Sequence, residues 1–343
     1  LLVTQHTPYM EQKIFSRAKH FLAPPQDLLD MQKASFQWLL DHGIAETLKE
    51  FSPIRDYTGK KFSLEFSKFE LDEPKHDEYY AKTNNLNYER PLRVTVKLTN
   101  KTLHEEKEQE IFLSDLPVMT NHGTFVISGV ERVIVPQLAR SFGVFFNTNE
   151  IKGRRYFGAK IIPLRGVWIE LESEADGHIY ARIDRKRKFA VGHLLNVLAD
   201  MYGKNVRKEA PQYLGENISE KVDDSYIELY RKVRDSDLAT PANAREFVTS
   251  IFGEEKYDLS RVGRFRFQKR FGKPMDEETL TQKRLSFYDM LSIVNHITKL
   301  NADPEAQEDD IDHLGLRRVR AVGEMLQLKI RMGFAQMKRN IQD

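Results

Sequence analysis

Trp168 sits in the run VWIELE, where two-residue alternation puts Val167, Ile169 and Leu171 on one face of a strand and Trp168 on the other with Glu170 and Glu172. A tryptophan among acids on a polar face calls for a chemical reason. Indole faces stack on unpaired nucleobases, at about 1–3 kcal/mol per base. Basic runs flank this one in sequence. Residues 152 to 165 carry Lys152, Arg154, Arg155, Lys160 and Arg165 with no acid, and residues 182 to 188 carry Arg182, Arg185, Lys186, Arg187 and Lys188 against Asp184 alone. Clustered cations of this kind hold phosphates by releasing counterions. Composition taken alone favours a plainer alternative, an indole covered by a neighbouring loop.

A third basic stretch, residues 261 to 273, holds Arg261, Arg264, Arg266, Lys269, Arg270 and Lys273 interleaved with Phe265, Phe267 and Phe271. It reads either as a phosphate-gripping patch or as an amphipathic face whose phenylalanines pack inward. Acids gather at 70 to 78 and 303 to 312. Asp309, Asp310, Asp312 and His313 offer oxygen and nitrogen ligands to a hard metal. Acids in a short loop more often cap a following helix, here one over 314 to 323, and no metal is expected. GxSxG, HExxH and GxxxxGK followed by Ser or Thr are all missing, so nothing argues for an autonomous active site.

The chain has 343 residues, 40% of them hydrophobic and 30% charged, which predicts two compact units. The net charge of +2 conceals the sorting of charge into blocks, and local fields decide partners. Without cysteine, disulfides and thiolate zinc sites are excluded. No apolar run approaches the roughly 18 residues of a membrane span, so no membrane partner is expected and the cytoplasm is the default location. Leu1 in place of Met, and a last helix without a stop signal at Asp343, read as a piece of a longer polypeptide.

The elements that must position these residues follow from periodicity. Pro24, Pro25 and Asp27 introduce a helix with a stripe of Leu28, Met31, Phe36, Leu39 and Leu40, and Gly43 is expected to end its first part. Period-two strands follow: Phe62, Leu64 and Phe66; then Leu92, Val94, Val96 and Leu98. A hairpin is predicted with strands 125 to 127 and 132 to 135. Ile161 and Ile162, then Val167, Ile169 and Leu171, then Ile179, Ala181 and Ile183 form a second β region. Helices take over after about Val191, clearest over Phe287 to Leu300 and in a last stripe running Val319, Val322, Leu326, Ile330, Phe334, Met337 and Ile341.

The run TNHGTFVISGVERVIVPQLARSFGVFF (120 to 146), with PLRVTVKLTN (91 to 100), YDLSRVGRFRFQKRFG (257 to 272) and DDIDHLGLRRVRAVGE (309 to 324) in the same order, resembles the N-terminal region of the β subunit of bacterial DNA-directed RNA polymerase. Residues 1 to 20 and 195 to 250 carry no specific match. The resemblance implies an α+β fold of two mixed domains. One is a β-rich protrusion at about 20–128 plus 322–343, discontinuous and closed by the C-terminal helix. The other is an inserted α/β lobe at about 132–314.

By the same resemblance Trp168 stacks on a non-template base near the start site, and Arg140, Ile311, Asp312 and Arg317 form a pocket for a non-template guanine just downstream. The chemistry is coherent, since arginine donates to guanine acceptors and a carboxylate accepts from guanine N–H groups. Arg132, Val135 and Gln137 match the N-terminal edge of the rifamycin pocket. Glu106, Lys107 and Glu108 match an exposed strand to which the transcription-repair coupling factor or CarD-like regulators add; a charged edge strand guarded against aggregation is the plain alternative.

The implied role is one wall of the DNA cleft in a nucleotidyltransferase, holding the non-template strand and downstream duplex while synthesis happens elsewhere. The implied partners are the β′, α and ω subunits and a σ factor, the implied location is cytoplasmic and nucleoid-associated, and magnesium is held by another subunit. No cofactor is expected on this segment. An interaction scaffold with little DNA contact is the alternative. The chain departs from the family strings HLGNRR and RSPGVFF at Leu316 and Phe142, where loop geometry is expected to differ.

Overall fold

The computed structural model describes residues 27–56, 59–215, 218–219, 221–234, 239–253 and 256–342. They form a mixed α+β structure with antiparallel sheets. The chain divides into two units, one running to Val135 and resuming at Ala321, the other Pro136–Arg320. The first division falls a few residues later than the expected 128/132, the second falls between the expected 314 and 322, and the expected start at 20 lies outside the described residues.

In the first unit, the Asp27 carboxylate accepts the Leu29 N–H at 2.9 Å just ahead of helix α1 (Asp30–Trp38). Pro24 and Pro25 lie outside the described residues. Gly43 does not end the helix. The chain widens into a π turn over Leu39–Gly43 and continues as α2 (Ile44–Phe51). The turn persists because the Gly43 carbonyl is doubly satisfied, by Thr47 Oγ1 at 2.8 Å and by Gln327 Nε2 at 3.0 Å.

Strands β1 (Ile54–Arg55), β2 (Phe62–Leu71), β3 (Glu89–Asn100) and β4 (Glu105–Pro117) pair in chain order, with α3 (Glu78–Thr83) between β2 and β3. Leu92, Val94 and Val96 alternate into a core with Phe36, Leu39, Ile44, Leu48 and Phe66, completed by Val322 and Phe334 of the returning helix Val322–Gln342. The hairpin β5 (Phe125–Ile127) and β6 (Val130–Arg132) is tighter than predicted. Its turn is only Ser128 and Gly129, both with positive φ (52° and 77°), which is the two-residue hairpin that matches strand twist.

The second unit opens with β7 (Gln137–Arg140) and a five-stranded antiparallel sheet of β8 (Gly143–Ile151), β9 (Arg154–Ile162), β10 (Ile169–Ser173), β11 (Ile179–Ile183) and β12 (Phe189–Ala190), ordered β12-β11-β10-β9-β8. Helices α4 (Val191–Met201), α5 (Val206–Glu209), α6 (Val222–Arg234), α7 (Pro241–Ile251), α8 (Ser260–Phe271), α9 (Glu277–Thr281) and α10 (Phe287–Ala302) follow, before β13 (Arg317–Arg320) returns to pair with β7. Ile161, Ile169, Leu171, Ile179, Ala181 and Ile183 enter the core as the alternation requires, against Leu194, Leu198, Ile293 and Ile297 of α4 and α10.

The expected helix over 314 to 323 is replaced by a short 3-10 turn, Leu314–Leu316, and then β13. His313, not Asp312, caps the turn: its Nδ1 accepts the Gly315 N–H at 3.0 Å. Val319, predicted on the last helix, is therefore a strand residue, 48% exposed.

Candidate nucleic-acid interface

Four strands of the second unit share one transverse row: Val144 faces Ile161, Ile161 faces Ile169, and Ile169 faces Ile183. One step farther out lie the pair Gly143 and Ile162 and, continuing the row, Trp168 and Asp184. At about 4.8 Å per strand, Gly143 and Trp168 are roughly 10 Å apart. Arg140 precedes Gly143 by three residues, at the end of β7. The register thus brings Gly143 and Trp168 to the same end of one sheet, while Arg140, three residues before Gly143, lies on the separate two-stranded ladder of β7 with the later strand Arg317–Arg320.

Trp168 is half-buried and lies just ahead of β10. Asp184 grips its backbone: the Asp184 N–H donates to the Trp168 carbonyl at 2.9 Å, and the Trp168 N–H donates to Asp184 Oδ1 at 2.8 Å. The chain then turns through Asp184 and Arg185, both with positive φ (49° and 59°), and the Lys186 N–H closes the turn on the Ile183 carbonyl at 3.0 Å. Left-handed backbone costs a non-glycine residue about 1–3 kcal/mol and persists only where its surroundings fix it. Here it sets the Arg185 guanidinium 5.9 Å above the indole.

The face expected to be wet is less open than alternation implied. Glu170 is only 8% exposed and meets Lys160 at 3.4 Å, and Glu172 meets Arg182 at 3.4 Å. Cross-strand ion pairs cover that face, with the indole at their end.

Arg140 stands opposite Arg317 in the β7–β13 ladder, and Leu138 stands opposite Val319 two residues along. Strand alternation places all four on one face. Leu138 is 53% exposed, Arg140 is exposed and Arg317 half-buried. Among the described residues neither guanidinium has a carboxylate partner. Next to them the Arg318 guanidinium lies 4.2 Å over the ring of Phe142, the residue that replaces the family proline.

Ile311 (half-buried) and Asp312 (exposed) sit on the loop leading into β13. The acids around them have structural work. Asp309 Oδ2 accepts the Phe146 N–H at 2.8 Å, and Asp310 Oδ1 accepts the N–H groups of Asp312 and His313 at 3.0 and 3.2 Å. No three His, Asp or Glu side chains converge as a metal site among the described residues.

The basic aromatic run is helix α8, and most of its cations face inward or sideways to protein partners. Arg264 is fully buried. It donates to Asp289 Oδ2 at 2.7 Å and to the carbonyls of Gln282 (3.1 Å) and Arg284 (2.5 Å). Burial opposes ionisation of Asp289, but Arg264 and Lys273 outweigh it and hold the carboxyl below its ordinary value. Arg261 pairs with Glu277 at 2.9 Å and Arg270 with Asp309 at 2.8 Å. Phe267 packs inward, Phe271 partly so, while Phe265 stays 44% exposed. Most cations of this run thus have protein partners, while Arg261, Phe265, Lys269 and Arg270 remain exposed. In the 182 to 188 stretch, Arg185 to Lys188 are exposed, and Lys188 pairs with Glu174 and lies 5.0 Å over Tyr180.

In the first unit, Glu106, Lys107 and Glu108 are exposed on β4, the edge of its sheet. Glu106 bonds to Lys97 at 2.7 Å and raises that lysine's pKa. Arg132 ends β6 opposite Phe125, and Val135 is 70% exposed. In the second unit Gln137 begins β7 opposite Arg320.

Sequence reasoning missed the placement of three arginines: Arg185, Arg318 and Arg266, the first and last named only as members of basic runs. The first depends on a left-handed turn at two non-glycine residues, which no composition signal announces. The DRKRK string was its only trace. The others depend on contacts between segments far apart in sequence.

An indole with a guanidinium over it, exposed cations and an arginine couple without a carboxylate partner are side-chain chemistry of the kind that single-strand binders use. The chain belongs to the RNA polymerase beta subunit family, whose model matches residues 27–343. It is 38% identical over 339 residues to the DNA-directed RNA polymerase subunit beta of Syntrophomonas wolfei, covering 96% of this chain and 30% of that one. Against the same-named subunit of Prochlorococcus marinus it is 39% identical over 332 residues, covering 92% and 30%. The chain thus spans about 30% of the length of these curated relatives. Among the described residues no helix is long and apolar enough to cross a membrane.

Proposed function

We propose that this chain is the N-terminal part of a DNA-directed RNA polymerase β subunit and serves as one wall of the DNA cleft, its second unit holding the melted non-template strand. The first unit corresponds to the protrusion and the second to the lobe. Trp168 stacks on a base, while Arg140 and Arg317 donate to a guanine and Asp312 accepts from it, with Ile311 against the base plane. The arginines and lysines of residues 152 to 165 and 182 to 188 track phosphates of the strand and downstream duplex. Phosphodiester synthesis, and the magnesium it needs, belong to the assembled nucleotidyltransferase and its other subunits. Work on nucleoid DNA follows from that role.

The observation that supports this reading is that Trp168 closes one end of the five-stranded sheet in the row of Gly143, and the Arg140–Arg317 pair, without a carboxylate partner, lies three residues before Gly143 in the chain. Strand β4 supports a second task. Among the described residues it is a long sheet edge, suited to regulators that add a strand, and the Glu106–Lys97 pair guards it until they bind. Rifamycin contacts at Arg132, Val135 and Gln137 require the rest of the subunit.

The test is promoter melting by the assembled polymerase. Trp168→Ala shortens the open-complex lifetime on several promoters. Unchanged lifetimes, with regulator binding at β4 intact, leave the scaffold reading instead.

A further inference from the structure

Helix α8 grips the loop that carries Ile311 and Asp312 at both of its ends. Arg270 Nη2 donates to Asp309 Oδ1 at 2.8 Å, and its guanidinium lies 5.0 Å over Phe146. Asp309 is itself tied to Phe146 by both backbone and side chain. One turn back on the helix, Arg266 Nη2 donates to the Gly315 carbonyl at 3.3 Å, and its guanidinium lies 5.5 Å over Phe145. One turn farther back, Gly263 abuts the corner between β7 and β8: a Cβ there would sit 3.2 Å from Phe142 Cβ and 3.3 Å from the Gly143 nitrogen. Gly263, Arg266 and Arg270 share one helical face.

That face meets the corner below Arg140, the turn before Arg317 and the start of the acidic loop. Helix α8 is anchored in turn by fully buried Arg264. Two cations of this basic run thus bond the loop. We propose that Arg266 and Arg270 are positioning residues that hold residues 309 to 315 so that Asp312 meets its base in a pre-ordered geometry. The inference rests on Asp312 being a base contact. A site reads a base well only if its supporting shell fixes it within a fraction of an ångström.

Two readouts on the assembled polymerase test this. The first is amide exchange over residues 309 to 315 without DNA. The second is the ratio of open-complex lifetimes on promoters with guanine or adenine at the non-template position just downstream of the base stacked on Trp168.

Arg270→Ala is expected to speed loop exchange and to cut the guanine preference about tenfold, the size of one good base contact. The β8 to β11 amides keep their protection. Arg266→Ala acts in the same direction, and Arg270→Lys, which retains a charged bond to Asp309, restores most of both readouts. Asp312→Ala removes the preference without loosening the loop.

Unchanged loop exchange or unchanged guanine preference in both arginine variants overturns the proposal even when Asp312→Ala behaves as expected. If Asp312→Ala keeps the guanine preference, the base contact itself fails and the proposal with it. Should Arg270→Ala loosen the sheet as well, Arg270→Gln, whose stem still covers Phe146, decides by the same two readouts.

Discussion

Arg140 and Arg317 face one another across the β7–β13 ladder, two like charges in direct register with no carboxylate between them. Opposed like charges weaken a strand pair, and a short two-stranded ladder has little stability to spare. The arrangement is unfavourable in the free protein and would be eased by a ligand whose acceptors take hydrogen bonds from both guanidiniums, as the proposed guanine would.

Arg140→Ala and Arg317→Ala are therefore expected to leave stability within about 0.5 kcal/mol of the parent, because each relieves a repulsion. In the assembled enzyme the same substitutions weaken promoter-complex stability by about 1–3 kcal/mol and relax preference for guanine at the contacted position. Urea unfolding read beside complex lifetimes checks both halves. Loss of stability with normal base preference assigns the pair a purely structural role.

Arg185 lies over one face of the indole and is set there by a strained turn. Arg185→Ala is expected to weaken single-strand retention by up to about 1 kcal/mol. Asp184→Ala, which loses the side-chain half of the clamp on the Trp168 backbone, does more harm than Arg185→Ala. Complex lifetimes at two salt concentrations separate the charge effect, which fades with salt, from the positional one, which does not.

Buried Arg264 gives a control within the same basic run. Arg264→Ala is expected to destabilise the second unit by about 3–5 kcal/mol by stranding Asp289, and Arg264→Lys does not rescue it, since one ammonium cannot reach Asp289 and two carbonyls at once. The Asp289 carboxyl is held below its ordinary 3.8, so its contribution is intact above that pH and is lost as pH falls through the lower folded value. Denaturant midpoints along a pH series, with and without the substitution, test this.

Two histidines of the second unit add a milder dependence. Burial lowers the pKa of His193; burial, then the charges of Arg270 and Lys299, lower that of His296, which packs edge-on to Phe146 at 4.6 Å. Below their ordinary value of 6.5 the unfolded chain takes up protons that the folded chain refuses. Stability is then constant above that pH and falls as pH drops through it towards the folded values. His296→Phe, which keeps a ring beside Phe146, is expected to flatten part of that slope in urea unfolding between pH 7 and 5. An identical slope removes His296 from the account.

Much of the architecture was written in periodicity. Leu92, Val94 and Val96 in one core, Ile169 and Leu171 in the other, and Val322, Leu326, Ile330, Phe334 and Met337 of the last stripe follow directly from two-residue and 3.6-residue spacing. Tertiary hydrogen bonds defeated the local signals elsewhere. Gly43 read as a helix stop, yet Gln327 satisfies its carbonyl from the far end of the chain. Asp312 read as a helix cap, yet pairing with β7 draws the following residues into a strand.

The candidate site was legible only through family resemblance, since Arg140 and Arg317 meet through strand register and not through spacing. The basic run at 261 to 273 shows the limit of counting charge. Its arginines are cationic in composition and mostly occupied in space.

The most direct measurement places 2-aminopurine at the non-template position expected to stack on Trp168 in promoter complexes of the assembled polymerase. Stacking quenches its emission, so the account predicts a dim probe with the parent enzyme and several-fold brighter emission with Trp168→Ala at equal occupancy. Equal brightness in the two complexes would contradict it.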